Sequence, residues 1–139
     1  MCCFKKKNGQ TVVYREGRNF PLPIKFEPES EFHWDGRFQI AFAARPRFSS
    51  GGLHLTVLSK ELWEGRHPQK SQNFIGNTVC PHAMFSLPVL ADDQGLFSAP
   101  HLNYRRNSAG KRVEVVDSGF KKLQFQPQLP LSNAGFCVA

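Results

Sequence analysis

The chain has 139 residues, room for one domain and hardly for two. Its 18 Lys and Arg against 11 Asp and Glu leave a net charge of +7, which draws polyanions towards the surface, nucleic acid first among them. No apolar run approaches the ~18 residues of a membrane-spanning helix, and thirteen Phe supply large rings that favour a folded chain.

Residues 1–11 read as a basic lead-in carrying Lys5-Lys6-Lys7. No apolar segment follows those charges, so no signal peptide is predicted. Residues 12–139 read as one domain. Thr11 to Tyr14, just after Asn8-Gly9, is a short β-favouring run. The clearest local pattern follows. Phe32, Trp34, Phe38, Ile40 and Phe42 share one parity, and His33, Asp35, Arg37 and Gln39 share the other. Period two over this length predicts one strand, or a hairpin bent at Asp35-Gly36, with one face on a core. A continuous strand would put Gly36 on the buried face, where a bulge is expected.

Ser50-Gly51-Gly52 resembles a phosphate-binding loop only in its small residues. Such a loop opens a helix, whereas Leu53-His54-Leu55-Thr56-Val57 alternates like a strand, so a turn is expected. Ser59 to Glu64 predicts about one helical turn capped by Ser59, and Pro81 to Phe85 a second. Leu87 to Leu90 and Gly95 to Ala99 flank Ala91-Asp92-Asp93-Gln94, a hairpin signature that should hold Asp92 and Asp93 in solvent. Val113 to Val116 and Lys121 to Phe125 bracket Asp117-Ser118-Gly119 as a further hairpin. The expected class is mainly β (α+β): a small antiparallel sheet or partly open barrel with one or two short helices.

The chemistry-bearing residues form no active-site pattern. No serine sits in a G-x-S-x-G elbow. Cys80-Pro81-His82, with Cys137 as a third ligand, lacks the paired spacings of structural zinc, so no metal is expected. Cys2 and Cys3 are adjacent and the other two cysteines stand apart, which suggests no disulfide framework, reduced thiols and a cytoplasmic setting.

Arg and aromatic residues interleave in Tyr14-Arg15-Glu16-Gly17-Arg18-Asn19-Phe20 and in His101-Leu102-Asn103-Tyr104-Arg105-Arg106. Guanidinium groups fork phosphates and stack on bases, and aromatic rings offer faces to unstacked nucleotides. The bland reading makes the ring core and pairs the guanidinium with Glu16. Further basic clusters are Arg45/Arg47, Lys111-Arg112 and Lys121-Lys122. The residues expected to meet RNA are Arg15, Arg18, Arg37, Arg105, Arg106, Lys111 and Arg112 as phosphate forks, with Tyr104 as a stacking platform.

Four segments in order resemble a known family. Tyr14-Arg15-Glu16-Gly17-Arg18-Asn19-Phe20-Pro21 and Trp34-Asp35-Gly36-Arg37-Phe38 come first. Ser86 to Leu90 with Gly95 to Arg105, containing Pro100-His101-Leu102, and the tail Pro130 to Phe136 follow. Together they resemble the C-terminal region of bacterial tRNA(Ile)-lysidine synthases of the alphaproteobacterial type. The resemblance implies a parent ligase that uses ATP and Mg to join lysine to the wobble cytidine of tRNA(Ile). Its S-G-G-x-D-S phosphate loop lies in an N-terminal catalytic domain and has no counterpart here, so no catalytic, ATP or metal residue carries over. The implied partners are tRNA(Ile) and that catalytic domain. Both a fragment of the synthase and a free-standing tRNA-binding paralogue fit, and the early entry into a family segment favours the fragment. The rival from another class is a non-catalytic β module that docks on protein or binds RNA generally.

Overall fold

The computed structural model describes residues 2–7, 10–15, 19–66, 81–107, 113–127 and 137–138, and for 2–7, 10–15, 81–82 and 137–138 the backbone alone. The described residues form a mainly β protein of three sheets with two short helices, and the strands do not close into a barrel.

The first sheet joins β1 (Cys2–Lys7) to β2 (Gln10–Arg15) in antiparallel register, Lys7 opposite Gln10. The stretch expected as a lead-in is thus a paired strand. β3 (Ile24–Lys25) belongs to the largest sheet, described below.

β4 (Glu31–Trp34) and β5 (Phe38–Phe42) are the two arms of an antiparallel hairpin, Trp34 opposite Phe38 and Phe32 opposite Ile40. Of the two arrangements that period two allows, the bent one is adopted. Asp35 and Gly36 both take left-handed backbone, φ 53° and 65°, the pairing found in tight hairpin turns. The bend leaves Gly36 exposed at the tip, so it needs no bulge.

β6 (His54–Val57) follows the Gly51-Gly52 turn. Gly52 has φ 72°, and a Cβ there would stand 2.6 Å from Asp93 Oδ1, so glycine is required. α1 (Lys60–Glu64) is the expected single turn, with the Ser59 hydroxyl accepting from the Leu62 N–H. α2 (Pro81–Met84) is the second helix. β7 (Pro88–Asp92) and β8 (Gly95–Ala99) make the predicted hairpin, Asp92 opposite Gly95. A 3-10 turn over Pro100–Leu102 then leads to β9 (Tyr104–Arg105). The large antiparallel sheet runs β3-β6-β7-β8-β9. Every residue of its central strand β7 is buried, in keeping with an apolar run covered on both faces.

The expected pairing of Val113 to Val116 with Lys121 to Phe125 does not occur. Val116–Ser118 is a 3-10 turn, Val116 is exposed, and β10 (Phe120–Phe125) pairs with β5 instead. Gly119 does turn the chain, at φ 93°. A Cβ there would meet Leu90 Cδ1 at 2.8 Å, and its carbonyl accepts from the Ala43 N–H. The predicted turn is therefore the point where chain from elsewhere docks on the hairpin, giving the sheet β10-β5-β4. β11 (Cys137–Val138) lies parallel to β2 in the first sheet.

The core joins the hairpin's apolar face (Trp34, Phe38, Ile40, Phe42) to Leu55, Leu90, Phe97, Tyr104 and Phe120. Phe42 is its centre. Its ring lies 4.7 Å from Phe26, 5.4 Å from Phe32 and 6.0 Å from Phe120 by centroid. Truncating it leaves a cavity between two sheets. Phe42→Ala is expected to lower unfolding free energy by about 3–5 kcal/mol in urea denaturation. Leu22→Ala, at a side chain 83% exposed, should change it by less than about 0.5 kcal/mol.

Candidate nucleic-acid interface

The residues expected to meet RNA are dispersed by the fold. Arg15 is at the end of β2, where only the backbone is described. Arg18, Lys111 and Arg112 lie outside the described residues, as does Cys80.

Arg37 is turned inward. Its guanidinium meets the Asp35 carboxylate at 2.8 Å, donates to the Ser86 carbonyl at 2.7 Å and packs 5.1 Å from the Phe38 ring centroid. It ties the β4–β5 hairpin to the segment before β7, and forking a phosphate would break those bonds.

Tyr104 is 0% exposed, with its ring edge-on to Trp63 at 6.3 Å. A base could reach that ring only if it left the core, so the expected stacking platform is a core residue. Arg106, just past the end of β9, is 4% exposed and forms an ion pair with Asp92. Neither is a surface contact. His101 is also withdrawn: burial lowers its pKa from the usual 6.5, so the ring adds no charge at neutral pH.

Arg105, the last residue of β9, lies nearer the surface. It is half-buried, passes 5.7 Å from the Phe97 ring and donates to the Arg47 carbonyl at 3.3 Å. That bond brings the end of β9 against the loop of residues 43–53. Arg45 and Arg47 are both exposed on this loop, and Arg45 donates to the Ser50 carbonyl at 2.9 Å. Three arginines from two distant parts of the chain thus share one surface. The loop pattern Arg45-Pro46-Arg47-Phe48 carries the same Arg–aromatic interleaving that singles out Tyr14 to Phe20. The signal that could have found it is therefore local, with Phe48 completing the Arg45/Arg47 pair.

The other basic pair, Lys121-Lys122, flanks an open groove shared with Glu29 and Glu31, and Lys121 Nζ lies 3.9 Å from Glu29 Oε2. Opposite charges offset one another there, so it makes a weaker anion site than the arginine loop.

One carboxylate positions this loop. Asp92, expected in solvent, is buried at the end of β7. Its Oδ2 accepts from the Arg106 guanidinium and, at 2.8 Å, from the Ser50 N–H, while Oδ1 accepts from the Gln94 N–H at 2.9 Å. Asp93 alone of the two is exposed, at the turn. Asp92 is the last residue of the fully buried strand β7, whereas Asp93 lies in the turn beyond it. Desolvation raises the Asp92 pKa, but the bonds from Arg106, Ser50 and Gln94 outweigh it and hold the carboxyl below its ordinary 3.8.

Among the described residues no group of three or more His, Cys, Asp and Glu is placed to hold a metal ion. No helix among them is long and apolar enough to cross a membrane. No protein-family model, curated protein or solved structure matches the chain.

Asp92→Asn leaves Arg106 buried without a counter-charge and should destabilise the protein by about 3–5 kcal/mol at neutral pH. Asp92→Asn/Arg106→Met should be less damaging than the single change, which a urea double-mutant cycle measures. A depressed folded pKa contributes stability above the unfolded value of 3.8 that is lost as acid titrates the folded carboxyl. Wild type should therefore lose its advantage over Asp92→Asn as pH falls below about 4.

Proposed function

We propose that this chain binds the phosphate backbone of a folded RNA. In the setting implied by its motif order, it is the distal tRNA-holding part of a lysidine-synthase-type ligase, working in the cytoplasm beside a separate catalytic domain. The observation that carries the binding reading is the bond from Arg105 to the Arg47 carbonyl, which gathers Arg45, Arg47 and Arg105 on one surface. Net charge alone is compatible with arginines spread over unrelated faces. A clustered set suits phosphates spaced along a strand, and Arg offers each a planar two-point fork.

Phosphate contacts position a nucleic acid without reading its sequence. This suits a part that holds a tRNA body while the chemistry occurs elsewhere. The four ordered segments support tRNA(Ile) as the substrate and a partner domain as the source of ATP-dependent ligation. The inward roles of Arg37, Tyr104 and Arg106 move the proposed contact to the arginine loop.

Filter binding of a tRNA(Ile) transcript across a salt series tests the proposal. Affinity should fall steeply as salt rises. Arg45→Ala/Arg47→Ala should weaken binding about tenfold at low salt and reduce the log–log salt slope by about 1–2, one for each phosphate that is no longer neutralised. Salt-independent binding, or none at low salt, would overturn it.

A further inference from the structure

We infer that Phe48 is a stacking platform for an unpaired nucleotide, with an adjoining phosphate held by Arg47 on a loop that Arg45 and Arg105 brace. This inference rests on the RNA-binding reading above and adds the kind of RNA the site takes.

Phe48 is set apart from the other described phenylalanines. Most of them fill the core or its margin, whereas Phe48 is 68% exposed and is the most exposed among them. It also has φ 65°, left-handed backbone that a bulky aromatic residue rarely adopts. The fold thus bears both a backbone penalty and an exposed apolar ring at one position. Strain of this kind persists only where surrounding structure enforces it, and it concentrates at ligand-binding positions.

The enforcement is visible on both sides of the ring. Ser49 Oγ donates to the Pro46 carbonyl at 2.9 Å, closing the loop beneath Phe48. Arg45 holds the Ser50 carbonyl at 2.9 Å, and the buried Asp92 holds the Ser50 N–H at 2.8 Å. Arg105 holds the carbonyl of Arg47, the residue just before the ring. With residues 46, 47, 49 and 50 all tied, the loop backbone carrying Phe48 is set before any ligand arrives. The ordering cost of binding is then small.

The surroundings favour a nucleotide over a protein side chain. The chain around the ring reads Arg45-Pro46-Arg47-Phe48-Ser49-Ser50, so Phe48 protrudes singly among cations and hydroxyls instead of belonging to a run of apolar residues. Of the neighbouring carboxylates, Asp92 is engaged by Arg106 and Ser50, while Asp93 is exposed at the β7–β8 turn and joins the loop through its backbone N–H, which donates to the Gly51 carbonyl at 3.0 Å. A π-face beside several guanidinium groups offers stacking to a base and charge to its phosphates. The base must be unpaired, because a duplex keeps its base faces stacked on one another.

The test uses fluorescence anisotropy on the full chain with two probes: a short single-stranded oligouridine and a blunt RNA duplex of equal phosphate number. Phe48→Gly removes the ring and lets the backbone keep its conformation without strain, so its thermal midpoint should not fall. Its affinity for the single strand should drop about 5- to 100-fold, with duplex affinity and salt slope unchanged. Phe48→Trp should restore single-strand binding. Wild-type-like binding of oligouridine by the glycine variant overturns the inference, as does an equal loss on both probes. A change in sedimentation without a change in oligouridine binding also overturns it and marks the ring as a protein contact. In the first and third cases retained duplex binding leaves the phosphate-binding reading standing. Failure of the wild type to bind either probe at low salt removes that reading as well.

Discussion

The buried ion pair between Asp92 and Arg106 organises the surface around it. Two opposite charges withdrawn from water are stable only while they satisfy one another and their remaining hydrogen-bonding capacity. Asp92 does this with three donors from three places: the guanidinium after β9, the Ser50 N–H of the arginine loop and the Gln94 N–H of its own turn. The β7–β8 turn, the end of β9 and the loop of residues 43–53 therefore converge on one carboxylate. The Arg106 N–H adds a backbone bond to the Phe97 carbonyl at 2.9 Å, and its guanidinium lies 5.4 Å from the Phe97 ring centroid. The exposed arginines take their positions from this buried one.

Arginine consequently serves two purposes in this protein. Arg37 and Arg106 face inward and cross-link elements, because a planar guanidinium can bond a carboxylate and a carbonyl while its face packs on an aromatic ring. Arg45 and Arg47 are exposed and Arg105 is half-buried beside them, so this second group faces solvent. Net charge counts both groups alike, although only the second contributes much to steering a polyanion. A basic composition thus overstates the binding surface wherever arginines are committed to the interior.

Much of the fold was legible because its signals are local. The β4–β5 and β7–β8 hairpins follow from short turns with suitable residues between apolar arms, and α1 from the Ser59 cap. The third expected hairpin fails for a non-local reason. β5 offers Lys121 to Phe125 a largely buried strand to pair with at the edge of its sheet, while Val113 to Val116 offers no comparable apolar face. The site was legible in part. The Arg–aromatic interleaving marks Tyr104, Arg105 and Arg106 together, but it does not say which of them is inside.

By itself the sequence determined the β class, the β7–β8 turn and the helix cap, and the excess of positive charge, while it left Asp35-Gly36 open between a bend and a continuous strand. These depend on residues within a few positions of one another. Tertiary structure alone decided which arginines are interior, since that turns on partners far apart in the chain: Asp92 for Arg106, Ser86 for Arg37 and the Arg47 carbonyl for Arg105. It also decided that Phe48, one of many phenylalanines, is held out of the core. The loop's ends are fixed by bonds to the β7–β8 turn and to Arg105, and those constraints outweigh the gain from burying the ring.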